Sequence, residues 1–187
     1  MRLASTTANG FAQLGFFSQP VNSTALHNSS FEGPLVPGTP NNSVYQPTTA
    51  QWSFSSPTSG IAGQGTWFTT TPPNGNQAAF MQGTGTITQQ LQQVQGGLYQ
   101  LSFFAASAPN YSANPFTVLV DGVQQFTVQA TQINGTNWTQ FTTSPFPLAP
   151  GNHTLTFNFT GNSSSATPVK CGLASLSVSL RSPMAGS

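Results

Sequence analysis

Two carboxylates, two imidazoles and one thiol are the groups that this 187-residue chain offers for proton transfer, nucleophilic attack or metal binding: Glu32, Asp121, His27, His153 and Cys171. A glycosidase needs two carboxyl groups facing each other across a sugar ring. Asp121 stands before Gly122 in the dipeptide that most strongly marks a two-residue hairpin, so its presence has a structural explanation. A Ser–His–Asp triad would need a histidine beside Asp121 and a strained nucleophile, and no G-x-S-x-G occurs. His153 follows Pro150-Gly151-Asn152 and reads as a turn residue at a strand start. Two histidines without neighbouring ligands make a poor metal site, and one cysteine builds neither an intrachain disulfide nor a thiolate cluster. Cys171 reads as a small buried residue at the start of a strand. The glycines at 60, 63 and 65 precede neither a lysine nor a helix, which argues against a phosphate loop. The expectation is a protein without catalytic residues, metal or cofactor.

Binding chemistry is better represented. An exposed Trp or Tyr stacks on the C–H face of a sugar, and neutral amides orient its hydroxyls. Trp67, Tyr45 and Tyr111 fall in expected loops or at strand edges, and Asn110 precedes Tyr111, with Asn114 and Asn74 nearby. These are the candidate ligand-binding residues, although for Tyr111 packing or an inter-subunit contact is an equal reading. Trp52 and Trp138 lie in alternating segments and read as core. Only Arg2, Glu32, Asp121, Lys170 and Arg181 carry formal charge, 3% of the chain against roughly 25% in an average globular protein. Three cations cannot neutralise a phosphate track or an anionic membrane surface, so nucleic acid and membrane are not expected partners. Surfaces of Ser, Thr, Asn, Gln and Gly repel each other little, which favours a homo-oligomer.

The elements that must position these residues are strands. Thr84–Val94 and 98–106 are β-patterned and joined by a Gly96-Gly97 turn, with Tyr99, Leu101, Phe103 and Ala105 on one face. Further strand signals are QWSFSS, PFTVLV and VQQFTVQ around Asp121-Gly122, and CGLASLSVSL, while Gln77–Gln82 begins the central region. NWTQFTTSPFPLA and HTLTFNFT read as another pair turned at 150–152, with Leu155, Phe157 and Phe159 sharing a face. Residues 26–50 read as loop, and Gly60, Gly63 and Gly65 as tight turns. Nine or ten short strands with regular turn signals predict an all-β fold, an antiparallel β-sandwich or jelly roll. Aromatics at 11% and low charge exclude disorder. The expected organisation is an arm or strap over 1–25, the sandwich over 26–181 and a tail over 182–187. The arm carries Phe11, Leu14, Phe16, Phe17 and Val21, apolar residues that should lie either on their own domain or on a neighbouring subunit.

FEGP, WSFSSPTSGIAGQGTWF, GNQAAFMQGTGTITQQL, GLYQLSFFAA, VLVDG and FTTSPFPLAPGNHTLTF follow one another in that order. Together they resemble the galactose-binding-like β-sandwich modules of bacterial surface and secreted proteins, relatives of carbohydrate-binding modules, over residues 28–180. The resemblance implies a jelly roll that binds sugars or other surfaces without converting them. It also implies a structural calcium held by an early Glu and by an acid opening the last strand. Glu32 fits the first position, but 172–176 contains no acid, so no calcium is expected. Ser107-Ala108 also departs from the Arg that often follows the Ala-Ala pair in such modules.

The lack of an apolar secretory segment after Met1-Arg2, the apolar arm and the near-absence of charge point to a virion surface component, such as a bacteriophage decoration or fibre subunit. Its arm would dock on shell protein or sister subunits, and its outer loops would touch glycans. The alternative is a carbohydrate-binding or adhesion module at an extracellular or bacterial cell-surface location. A filament or surface-layer subunit is a third reading. Nine N-x-S/T triplets occur, as strands that expose Thr and Asn generate them readily.

Overall fold

The described residues form twelve strands, several of them with period-2 alternation. The structure, a computed structural model, describes residues 26–36, 42–65, 67–161 and 169–181. The arm with Phe11, Leu14, Phe16, Phe17 and Val21, and the tail 182–187, lie outside the described residues. The strands are β1 (Ser43–Tyr45), β2 (Ser53–Phe54), β3 (Ser59–Gly63), β4 (Gln77–Gln82), β5 (Thr84–Val94), β6 (Gly97–Ser107), β7 (Phe116–Val120), β8 (Val123–Val128), β9 (Thr139–Thr142), β10 (Phe146–Leu148), β11 (Gly151–Thr160) and β12 (Lys170–Arg181). One sheet runs β1-β3-β4-β12-β6-β10, with β9 also on β6, and the other runs β2-β5-β11-β7-β8. All strand pairs are antiparallel. The fold is the expected antiparallel sandwich.

Inward residues of both sheets form one core. Tyr99, Leu101, Phe103 and Ala105 from β6 meet Leu155, Phe157 and Phe159 from β11, all buried. Phe103 stands edge-on to Phe157 with centroids 5.4 Å apart and nearly parallel to Phe141 at 5.7 Å. Such pairs add roughly 0.5–1.5 kcal/mol each beyond the area they bury. Trp52 joins this core as expected, its indole donating to the carbonyls of His27 and Asn28.

Local pairing departs from expectation in three places. β5 and β6 do not pair: the Gly96-Gly97 turn carries the chain from one sheet to the other. β9 and β10 both lie along β6, whereas β11 sits between β5 and β7, so the segments on either side of 150–152 do not form a hairpin. In each case an arch between layers lets both inward faces reach the same core, which a flat hairpin would not. The glycines at 60 and 63 belong to a fully buried strand, β3, rather than to turns. Gly60 is required by proximity: a Cβ there would lie 2.0 Å from the Val44 carbonyl oxygen on β1, a strand in the segment expected as loop. The Asp121-Gly122 hairpin between β7 and β8 is as read, with both residues at positive φ (51° and 78°).

The β4 strand is buried on both faces. Ala79 and Met81 face the core, while Ala78 and Phe80 face outward into a second cluster with Ala62, Trp67, Phe68, Ala108 and Ala174. Small residues on this outer surface leave room for a flap. Gly172 on β12 admits Phe68, whose ring would lie 2.1 Å from a Cβ at that position. Trp138 packs here, 5.0 Å from Phe68, and its indole donates to Thr70 O, so it supports the flap instead of the main core.

Candidate functional site

The outer cluster carries the site. Trp67 lies almost flat on Phe80, with centroids 4.4 Å and planes 13° apart. Tyr45, the last residue of β1, stands edge-on to Phe80 at 5.2 Å and to Trp67 at 6.5 Å. Tyr111 comes from the loop after β6. That loop is tied down by Ser107 Oγ donating to Tyr111 O (2.8 Å), by Tyr111 N donating to Ala108 O, and by Lys170 N donating to Ser112 O (3.0 Å). Asn110 takes a positive φ of 63° at the bend. Lys170 opens β12, and its Nζ stands 3.9 Å from the Trp67 centroid and 3.7 Å from the Tyr111 centroid, a cation over two ring faces.

The result is a hollow of about 480 Å³ lined by Ser43, Tyr45, Trp67, Asn110, Tyr111 and Lys170 among others. All four candidate ligand-binding residues border it, although they come from three separate stretches of sequence. Their accessibilities differ. Tyr45 is 48% exposed, Asn110 is exposed and Tyr111 is half-buried, whereas Trp67 is 8% exposed and forms a wall backed by Phe80. Trp67 therefore supports the neighbouring rings and is not a free stacking platform. Sequence reasoning missed Lys170, because nothing local to VKCG indicates that its neighbours are rings 59 and 103 positions earlier. The other asparagines are elsewhere: buried Asn114 clips the chain by donating to Gly83 O and accepting from Gly161 N, and Asn74 does not line the hollow.

A second hollow, about 540 Å³, is lined by Glu32, Val36 and Gln77 and contains no aromatic ring. Glu32 Oε1 accepts from the backbone N–H groups of Asn76 and Gln77, 2.9 Å each, and so holds the start of β4. The calcium that the resemblance implied does not fit these residues. Glu32 is occupied in this way, the opening of β12 offers Lys170 and Cys171 instead of an acid, and no group of three metal-ligating side chains comes together among the described residues.

His153 is not in a turn: it is buried within β11 and lies beside Asp121. Its Nδ1 is 2.6 Å from Asp121 Oδ2 and its Nε2 is 2.8 Å from Ala149 O. Asp121 Oδ1 accepts from Thr154 N. The hydrogen bond to Asp121 raises the imidazole above its ordinary pKa and lowers the carboxyl below its own. A triad would require Nε2 to take a proton from a nucleophile, and here that nitrogen is bound to a backbone carbonyl. The pair ties the β7–β8 turn to β11. Burial pushes the Cys171 thiol up, so it stays protonated and inert.

The two antiparallel sheets form a β-sandwich like that of carbohydrate-binding modules. A carbohydrate-binding module of family 61 in complex with β-1,4-galactotriose superposes with a TM-score of 0.60 at 12% identity, over 84% of this chain and 98% of that one. The Stig cyclase Fisc from Fischerella sp. TAU, in complex with a pyrrolidinylidene-indole, gives 0.62 at 12% identity, over 87% and 96%. An arabinose-bound GH51 α-L-arabinofuranosidase gives 0.53 at 15% identity, over 85% of this chain and 26% of that enzyme. No curated protein matches the sequence. The chain belongs to the family described as Protein of unknown function (DUF642), which matches residues 24–176.

Proposed function

We propose that this domain binds carbohydrate without converting it and works at an extracellular or cell-surface location. The observation that carries the reading is the hollow in which Tyr45 and Tyr111 present rings, Trp67 backs them, and Asn110 and Ser43 supply neutral polar groups. A sugar's C–H face stacks on such a ring while amide and hydroxyl groups satisfy its hydroxyls. The galactotriose bound by the family-61 module is consistent with this use of the fold. A non-catalytic role agrees with the acids: Asp121 is engaged by His153 and Thr154, Glu32 by two backbone amides, and neither lines the hollow. The virion reading draws on the lack of an apolar secretory segment, on the near-absence of charge and on the apolar arm, which lies outside the described residues, whereas the likeness to a carbohydrate-binding module favours the alternative.

A glycan array followed by calorimetry tests the proposal. Saturable binding should weaken about five- to tenfold in Tyr45→Ala or Tyr111→Ala, the order expected from one lost aromatic contact. Binding that survives both substitutions unchanged would place the ligand elsewhere.

A further inference from the structure

Lys170 is the charge that this chain places in its aromatic hollow. The chain has three Lys and Arg residues in all. Arg2 is outside the described residues, and Arg181 ends β12 with its guanidinium donating to Gln100 Oε1, next to the β10 side of the sheet. Lys170 sits at the opposite end of β12, with its ammonium over Trp67 and Tyr111. Neither carboxylate of the chain balances it. Glu32 is bound to the start of β4, and Asp121 is paired with His153 in the only ion pair among the described residues. The ring faces attract the cation through their quadrupoles but contribute no net negative charge. The hollow thus holds the ammonium of a half-buried lysine, oriented by two rings and flanked by neutral donors and acceptors, with no side-chain carboxylate paired to it among the described residues.

Resting on the carbohydrate-binding reading, we propose that the hollow selects acidic saccharides, with Lys170 pairing with the carboxylate of a uronic acid residue. The chemistry is direct: an ammonium donates a charge-assisted hydrogen bond to a carboxylate, while a hydroxymethyl group in the same place offers only a neutral partner. The rings hold Nζ in position before the ligand arrives, so less side-chain entropy is lost than at a free surface lysine. Tyr45 and Tyr111 then contact the sugar ring, and Asn110 its hydroxyls. Because the hollow is open to water, the charge contribution is moderate and sensitive to salt.

The test compares β-1,4-galactotriose, the same trisaccharide oxidised at C6 to uronates, and the methyl ester of the oxidised form. Calorimetry in about 20 mM salt should show the uronate binding roughly tenfold tighter than the ester, with most of that preference lost near 0.5 M salt. Lys170→Met should abolish the preference, so that uronate and ester bind with equal affinity, and Lys170→Arg should retain it. Melting curves confirm that both variants fold. Equal affinity of the wild type for uronate and ester, or a preference that persists in Lys170→Met, overturns the inference. If that equal binding is lost in Tyr111→Ala, carbohydrate binding stands without charge selection. If none of the three saccharides binds, and the array is also blank, the binding reading fails and the inference with it.

Discussion

Asp121 and His153 show how one residue type can have two readings that only surroundings separate. The Asp-Gly dipeptide predicts a hairpin and forms one, but its carboxylate also reaches an imidazole 32 positions away. Both ring nitrogens of His153 face acceptors, a geometry that favours the protonated ring. The raised His153 pKa contributes stability that is fully present below the unfolded value of 6.5 and lost as pH rises through the higher folded value. The lowered Asp121 pKa contributes stability present above 3.8 and lost as pH falls through the lower folded value. The melting temperature should therefore be highest between those two ordinary values and decline as pH rises above them or falls below them. Asp121→Asn, which retains an acceptor for Thr154 N and tolerates the turn, should flatten that profile. An unchanged profile would show that the pair does not govern it.

At the scale of elements, the site depends on β1, a three-residue strand that pairs with β3 at the edge of its sheet among the described residues. Tyr45 lies opposite Gly60 in this pairing, so the space left by the missing side chain sets where the tyrosine stands. Gly60→Ala would put a methyl group against the Val44 carbonyl and displace β1, costing roughly 1–3 kcal/mol of stability as overpacking does. Its distinguishing effect should be on saccharide affinity, which should fall toward that of Tyr45→Ala although Tyr45 itself is unchanged. Near-UV dichroism would report the altered environment of Trp67 alongside. The bounds of β5 coincide with the run read from sequence, because its ends are marked by turn residues at 83 and 95–97. β1 and β3 were not legible: three residues are too few for alternation, and a strand buried on both faces does not alternate.

For the molecule as a whole, stability comes from the aromatic layer between sheets, since the described residues hold a single ion pair. Phe157, fully buried against Phe103, Phe116 and Trp52, is central to it. Phe157→Ala should lose about 3–5 kcal/mol, measured by denaturant unfolding. Salt should change this little, in contrast to its effect on uronate binding.

The sequence by itself determined the material of this protein: strands of period two, apolar faces that had to be paired, and a surface with almost no charge. It also named the rings and the amide that border the hollow, because exposed aromatics in turn-rich segments are locally recognisable. It could not say that Trp67 would be covered, that Lys170 would stand over two rings, or that His153 would meet Asp121. Those facts depend on which strand lies beside which. Alternation specifies a face but no partner, and partners are chosen only when all inward faces compete for one core.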